Sequence, residues 1–248
     1  MESARLNIRF LGSGDAFGNG GRYQACILIE SGGFRLLLDC GATSLTAMKH
    51  FGVDPSDIDA IAISHYHADH CGGIPFLVLD GQFSHRTRPL AIVGPGDVER
   101  RLTAAMETAF PGSASVRRRF PLTFQELQVG TQLEAGDASL LAYRAAHTPG
   151  SDPVMLRILM RGRTIAYTGD TEWTDALPEL AAGADLLISE SYTWQKSVRY
   201  HLDHRTLAAH RSDLGAKRLV LTHVGPEMLA HLPETPEEVA RDGLRITL

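Results

Sequence analysis

Ile58-Asp59-Ala60-Ile61-Ala62-Ile63-Ser64 runs directly into His65-Tyr66-His67-Ala68-Asp69-His70 and then Cys71-Gly72-Gly73. The first seven residues are an apolar run of strand length, which predicts a buried β-strand over 58–64. The next six hold four side chains with metal-ligand chemistry. In extended chain, residues i and i+2 leave on one side, so His65 and His67 can share an ion. Asp69 and His70 lie past the turn and point to a neighbouring site. Gly72 and Gly73 let the backbone bend close beside it, where a Cβ would obstruct, and Ile74-Pro75-Phe76-Leu77 reads as a helix start. Three imidazoles and a carboxylate behind a buried strand would be desolvated and, once protonated, mutually repulsive unless a cation held them together. The pattern points to metal, and to two ions.

A catalytic transition ion takes about three donors from protein and leaves a position for water. More ligands are therefore required, and the sequence offers them in one recurring slot. His147 follows the apolar run 139–144, Asp170 sits in Thr168-Gly169-Asp170-Thr171 after the run 164–168, and His223 follows the run 218–222. Side chains at the ends of strands combine a rigid support with loop access. Singly, each could cap a strand or close an Asx turn. Together with the motif at 65–70 they read as a ligand set.

Further strand-length runs fall at 6–11, 25–30, 34–39, 90–93, 154–160, 185–189 and 244–247, with hairpin signals at Ser31-Gly32-Gly33 and Arg161-Gly162-Arg163. Apolar residues return every three or four positions over 44–51, 95–109, 174–181 and 204–214, which predicts helices. Two sheets covered by helices follow. With no linker of biased composition, one sandwich over 1–248 is preferred to a joint near Pro111–Val116.

The 248 residues carry 24 basic and 29 acidic side chains, a net charge of −5, so no global positive field exists to hold a long polyanion. Cys26, Cys40 and Cys71 are too few and too widely spaced for a disulfide framework or a C-x-x-C zinc site. The opening MESARLNIRF has no apolar run of leader length, and no stretch reaches the roughly 18 apolar residues of a membrane span. The expectation is a cytosolic protein with no membrane partner.

The signature H-x-H-x-D-H, a later lone His, a Gly-Asp and a strand-end Thr-His resemble the metallo-β-lactamase-fold hydrolase superfamily. The likeness runs from Leu11-Gly12-Ser13-Gly14 and Leu38-Asp39-Cys40-Gly41 to Leu221-Thr222-His223. It implies an α/β chain folded as a four-layer αββα sandwich. It implies two zinc ions, with manganese or iron as alternatives, held by His65, His67 and His147 on one side and Asp69, His70 and His223 on the other. Asp170 would bridge them, a hydroxide between the ions would attack, and Asp39 would orient a metal-bound histidine.

Leu11 to Gly18 with Arg22, His70-Cys71-Gly72-Gly73-Ile74-Pro75, Leu186 to Ser191 and His204-Arg205-Thr206-Leu207-Ala208-Ala209 are similar to the ribonuclease Z and phosphodiesterase branch. That resemblance names Asp69, His204 and Glu190 as catalytic, His204 protonating the leaving oxygen with help from Glu190. His201 is the rival acid, and His50, His85, His210 and His231 are read as structural or solvated. The chain departs from the branch between His147 and Asp170. Only 22 residues lie there (170 − 147 − 1), too few for the arm that grips transfer RNA. The expected substrate is a small phosphodiester or a short nucleic-acid end. Ester, thioester or lactone hydrolysis is the alternative, a non-catalytic metal-binding protein the less favoured one. A self-complementary dimer, common in the branch, is a further expectation.

Overall fold

The computed structural model describes residues 5–248. Strand β1 (Asn7–Gly12), β2 (Cys26–Ser31) and β3 (Phe34–Leu38) form an antiparallel run. Helix α1 (Ser44–His50) then leads to β4 (Ala60–Ala62), parallel to β3. Helices α2 (Ala68–Cys71) and α3 (Ile74–Phe83) precede β5 (Leu90–Pro95), and α4 (Val98–Ala109) precedes β6 (Leu122–Leu127). Both strands extend the sheet in parallel. Such pairs need crossovers of a dozen or more residues, the role these helices fill.

The second sheet begins with the antiparallel strands β7 (Gln132–Ala135), β8 (Ala138–Arg144), β9 (Val154–Met160) and β10 (Arg163–Tyr167). After α5 (Ala176–Ala181) comes β11 (Leu186–Glu190), and after α6 (His204–Ala209) comes β12 (Leu219–Thr222), each parallel to its predecessor. Helix α7 (Pro226–Ala230) and the short β13 (Glu238–Val239) follow. Finally β14 (Arg245–Thr247) returns to pair with β1, so among the described residues each sheet has seven strands.

Alternation along the strands sorts side chains into layers. Leu36 and Leu38 point between the sheets while Leu37 points outward, and Leu186 and Ile188 do so against Leu187. The inner core joins Ile8, Phe10, Ile27 and Ile29 to Leu140, Leu156, Ile158 and Ile165. The outer cores pack Met48, Leu77 and Leu102 under the first sheet's helices and Leu177, Leu207 and Met228 under the second's. This is the αββα sandwich expected.

The segment near Pro111–Val116 is a short turn, Ser113–Ser115, between α4 and β6 of one sheet. Several boundaries differ from the sequence reading. The strand over 58–64 contracts to Ala60–Ala62, the helix over 95–109 starts only at Val98, and the helix over 204–214 ends at Ala209. Strands β6, β7 and β13 carry no sequence expectation at all. The turns at 31–34 and 160–163 lie at the starts of β3 and β10, and Arg161 at the second turn pairs with Asp137. The ends of β3, β4, β8, β10, β11 and β12 gather at the opposite rim, where the candidate site is built.

Candidate metal centre

Asp39 ends β3 with a left-handed φ of 57° and is fully buried. Its Oδ1 accepts the Ser64 backbone N–H at 2.7 Å. Its Oδ2 accepts the Ser64 hydroxyl at 2.8 Å, the Tyr167 hydroxyl at 2.7 Å and the His70 Nδ1–H at 2.7 Å. A carboxylate held by that many donors anchors the His70 ring through Nδ1, so Nε2 faces the cluster. Ser64 Oγ, its proton committed to Asp39, receives His65 Nδ1–H at 3.0 Å and orients that ring in the same sense. His147 is held from the far side, with its Nδ1 2.7 Å from the Tyr200 carbonyl.

His67 Nδ1 lies 3.1 Å from both His65 Nε2 and His147 Nε2, three nitrogens converging on one point. Asp69, His70, Asp170 and His223 form an adjoining group, with His223 Nε2 3.2 Å from Asp69 Oδ2. Asp170 stands between the two. Its Oδ1 is 3.3 Å from His70 Nε2, and its Oδ2 is 3.5 Å from His223 Nε2, 3.8 Å from His147 and 3.9 Å from His65. All seven expected ligands are thus brought together.

The backbone lets them approach. Gly73 N–H reaches the Cys40 carbonyl at 2.8 Å, and a Cβ at position 73 would sit 2.2 Å from the Gly41 carbonyl oxygen. Position 73 must be glycine for α2 and the end of β3 to close on each other.

Burial, then the neighbouring His70, pushes the His65 imidazole well below its ordinary pKa, which keeps it neutral as a ligand must be. Around Asp170 burial opposes ionisation, but His223, His70 and His65 hold its carboxyl well below the usual carboxylate range. His70 Nε2 and Asp170 Oδ1 are buried with no protein hydrogen-bond partner and face each other across the cluster. Converging ring nitrogens, two carboxylates and buried polar atoms without a partner are what divalent cations satisfy once the imidazoles give up their protons, so the donor set fits them.

Glu190 and the two rival histidines resolve differently from the sequence reading. Glu190 is fully buried at the end of β11, accepts the Thr171 backbone N–H, and takes His201 Nδ1–H at 2.9 Å. His201 also lies 3.9 Å from Asp170 Oδ2. His204 does not reach Glu190: its Nε2 is 2.7 Å from Glu237 and its ring stacks on Trp194. The reason is local. Asp203 caps α6 by accepting Thr206 N–H at 2.8 Å, so His204 is the first helical residue and turns away with the helix. A cavity of about 200 Å³ opens onto Asp69, Asp170, His67, His223 and His201, with Tyr192 and the exposed Phe17 completing its wall. Tyr192 carries no motif in the sequence reading and Phe17 is only one residue of the Leu11–Gly18 stretch, so it is the fold that places both beside the cluster.

Solved structures of the metallo-β-lactamase fold superimpose on nearly the whole chain. YhfI from Bacillus subtilis matches with a TM-score of 0.79 and 24% identity, covering 99% of this chain and 100% of its own. The short form of human tRNase Z matches with a TM-score of 0.78 and 24% identity, covering 97% and 98%. Fold and donor set together define a metal-dependent hydrolase of that class. The chain belongs to the family described as anti-Pycsar protein Apyc1, whose pattern matches residues 6–238. A ribonuclease Z from Methanopyrus kandleri is 29% identical over an alignment covering 97% of each chain.

Proposed function

We propose that the protein is a binuclear metal-dependent phosphodiesterase acting on small phosphodiesters. The observation that carries this reading is the His201–Glu190 pair standing beside Asp170, with His201 on the wall of the cavity that both donor groups also line. His65, His67 and His147 would hold one ion, Asp69, His70 and His223 the other, with Asp170 shared, and zinc suits the nitrogen-rich sites best. Bound cations supply an activated water and neutralise charge developing on the phosphoryl oxygens.

The chain's own residues do the rest. Asp39, Ser64 and the Tyr200 carbonyl keep the imidazole lone pairs aimed inward. His201 gives its Nδ1–H to Glu190, which leaves Nε2 as the atom that hands a proton to the departing alkoxide. Expelling an alkoxide at neutral pH needs such a donor, whereas acyl transfer from a thioester or lactone needs it less. Relatives named ribonuclease Z support phosphodiester chemistry. The small cavity and the interval between His147 and Asp170, taken up by β9, β10 and their turn, support a compact substrate.

The test is turnover of bis(p-nitrophenyl) phosphate and of a methyl nucleotide diester by zinc-loaded protein, beside a lactone and thioester panel. Metal-dependent diester hydrolysis exceeding the panel supports the reading. Lactone or thioester turnover alone rejects it.

A further inference from the structure

The segment 191–203, between β11 and α6, carries two groups the site depends on: His201 and the Tyr200 carbonyl that orients His147. Its neck is a backbone zipper. Tyr192 N–H reaches Leu202 O at 2.9 Å, His204 N–H reaches Thr193 O at 2.8 Å, and Arg205 N–H reaches Trp194 O at 3.1 Å. On that neck sits a second histidine–carboxylate pair, outside the metal cluster. The His204 ring lies 4.1 Å from the Trp194 indole at 10° between planes, and its Nε2 is 2.7 Å from Glu237 Oε2. Both side chains of the pair are nearly buried, and His231 lies parallel to the same indole at 5.3 Å.

A buried imidazole tied to a carboxylate and stacked on tryptophan costs desolvation, and no metal donor touches it. What it does mechanically is join three pieces of chain: the Trp194 side of the neck, the start of α6 and the segment ahead of β13. The neck register set there decides where His201, one residue before Leu202, points. Leu202 is itself buried in the outer core, so a slip in register would swing His201 and the Tyr200 carbonyl together.

We propose that His204 and Glu237, acting through Trp194, are positioning residues that set the placement of His201 and of the Tyr200 carbonyl. For catalysis this rests on the phosphodiesterase reading above; as a statement about geometry it does not. The pair touches no substrate and works through the neck alone.

The experiment combines His204→Ala, Glu237→Ala, their double variant and the conservative His204→Gln with two readouts. One is steady-state kinetics on a methyl nucleotide diester by zinc-loaded protein. The other is nitrogen-15 imidazole NMR of metal-free protein, following the Nδ1–H signals of His201 and His147. Each alanine variant is expected to lower kcat by about 10- to 100-fold, with KM changed by less than about twofold, the scale of a misplaced catalytic group. The double variant should be no worse than either single, His204→Gln should recover most of the loss, and both Nδ1–H signals should shift or broaden. Unchanged signals with unchanged kcat, or losses that simply add, overturn the proposal. If His204→Ala fails to fold, Glu237→Gln and His204→Gln supply the same comparison. Should wild-type protein hydrolyse no diester, the functional reading fails while the NMR cycle still decides the positioning.

Discussion

Asp39 Oδ2 and His70 Nδ1 are 2.7 Å apart with both groups fully buried, so one carboxylate sets the tautomer of a metal-cluster histidine. Asp39→Asn keeps the shape but presents either an amide N–H or a weaker acceptor to that ring. Metal affinity at the Asp69–His70–His223 group should fall by about 10- to 100-fold. Competition titration against a chromogenic chelator measures it, and an unchanged affinity would show that Asp39 plays no orienting part.

His201→Ala should discriminate between leaving groups. A general acid contributes about 10²- to 10⁴-fold when an alkoxide departs, and far less when p-nitrophenolate does. The expected result is a large kcat loss on a methyl nucleotide diester and a small one on bis(p-nitrophenyl) phosphate. Equal losses on both would assign His201 another role, and His204→Ala, acting through His201, is expected to show a weaker form of the same contrast.

The same histidine should report metal binding. Burial works against its charge, but the hydrogen bond and charge of Glu190, with Asp170 behind them, raise His201 to about 9 in metal-free protein. Below that pH the ring is protonated; as pH rises through it, the proton leaves. Cations placed on Asp170 offset the carboxylate's pull and repel the imidazolium, so loading should move the titration downward. A pH series of its ring nitrogen signals, with and without zinc, measures the shift; an upward move would contradict this account of the electrostatics.

Metal removal should lower stability by mass action. With free metal at 100 times its dissociation constant, binding to the folded state adds about 2.7 kcal/mol. For a chain of this size that is roughly 5–10 °C of melting temperature. Calorimetry before and after chelation checks it, and a melting curve indifferent to chelator would count against a preformed site.

The three cysteines should be inert in the folded chain. Burial, chiefly, pushes the Cys26 and Cys71 thiols up to about 12, and Cys40 is raised in the same way. Iodoacetamide at pH 8 should leave native protein almost unmodified and label all three once it is unfolded. Rapid labelling of the native form would mean that these packed layers open readily.

The ligand cluster was legible because coordination chemistry restricts residue type and the strand-end slot restricts position. His147, Asp170 and His223 each follow an apolar run of strand length. Which histidine meets Glu190 was not legible in the same way, since His201 and His204 stand three residues apart on one segment. The helix predicted over 204–214 already put His204 inside it and His201 before it, and the Asp203 cap on Thr206 fixes that boundary, but which ring then reaches Glu190 is set by the tertiary fold. The strands without a sequence expectation have another cause. At the border of the first sheet β6 reads Leu-Thr-Phe-Gln-Glu-Leu, with Thr123 and Gln125 exposed, and β7 and β13 border the second. A border strand with one wet face lacks the continuous apolar run by which a central strand announces itself. The Glu237 pairing joins residues 33 apart in sequence and had no local trace.

The hairpin turns at 31–34 and 160–163 sit at the starts of β3 and β10, a strand length away from every residue that faces the cavity. The scaffold therefore separates its upkeep from its chemistry. A peptide or fluorophore grafted at Gly162 would ride on the far pole, free to be exchanged without disturbing the reactive end, and that pole is the natural handle by which the enzyme could be tethered or displayed.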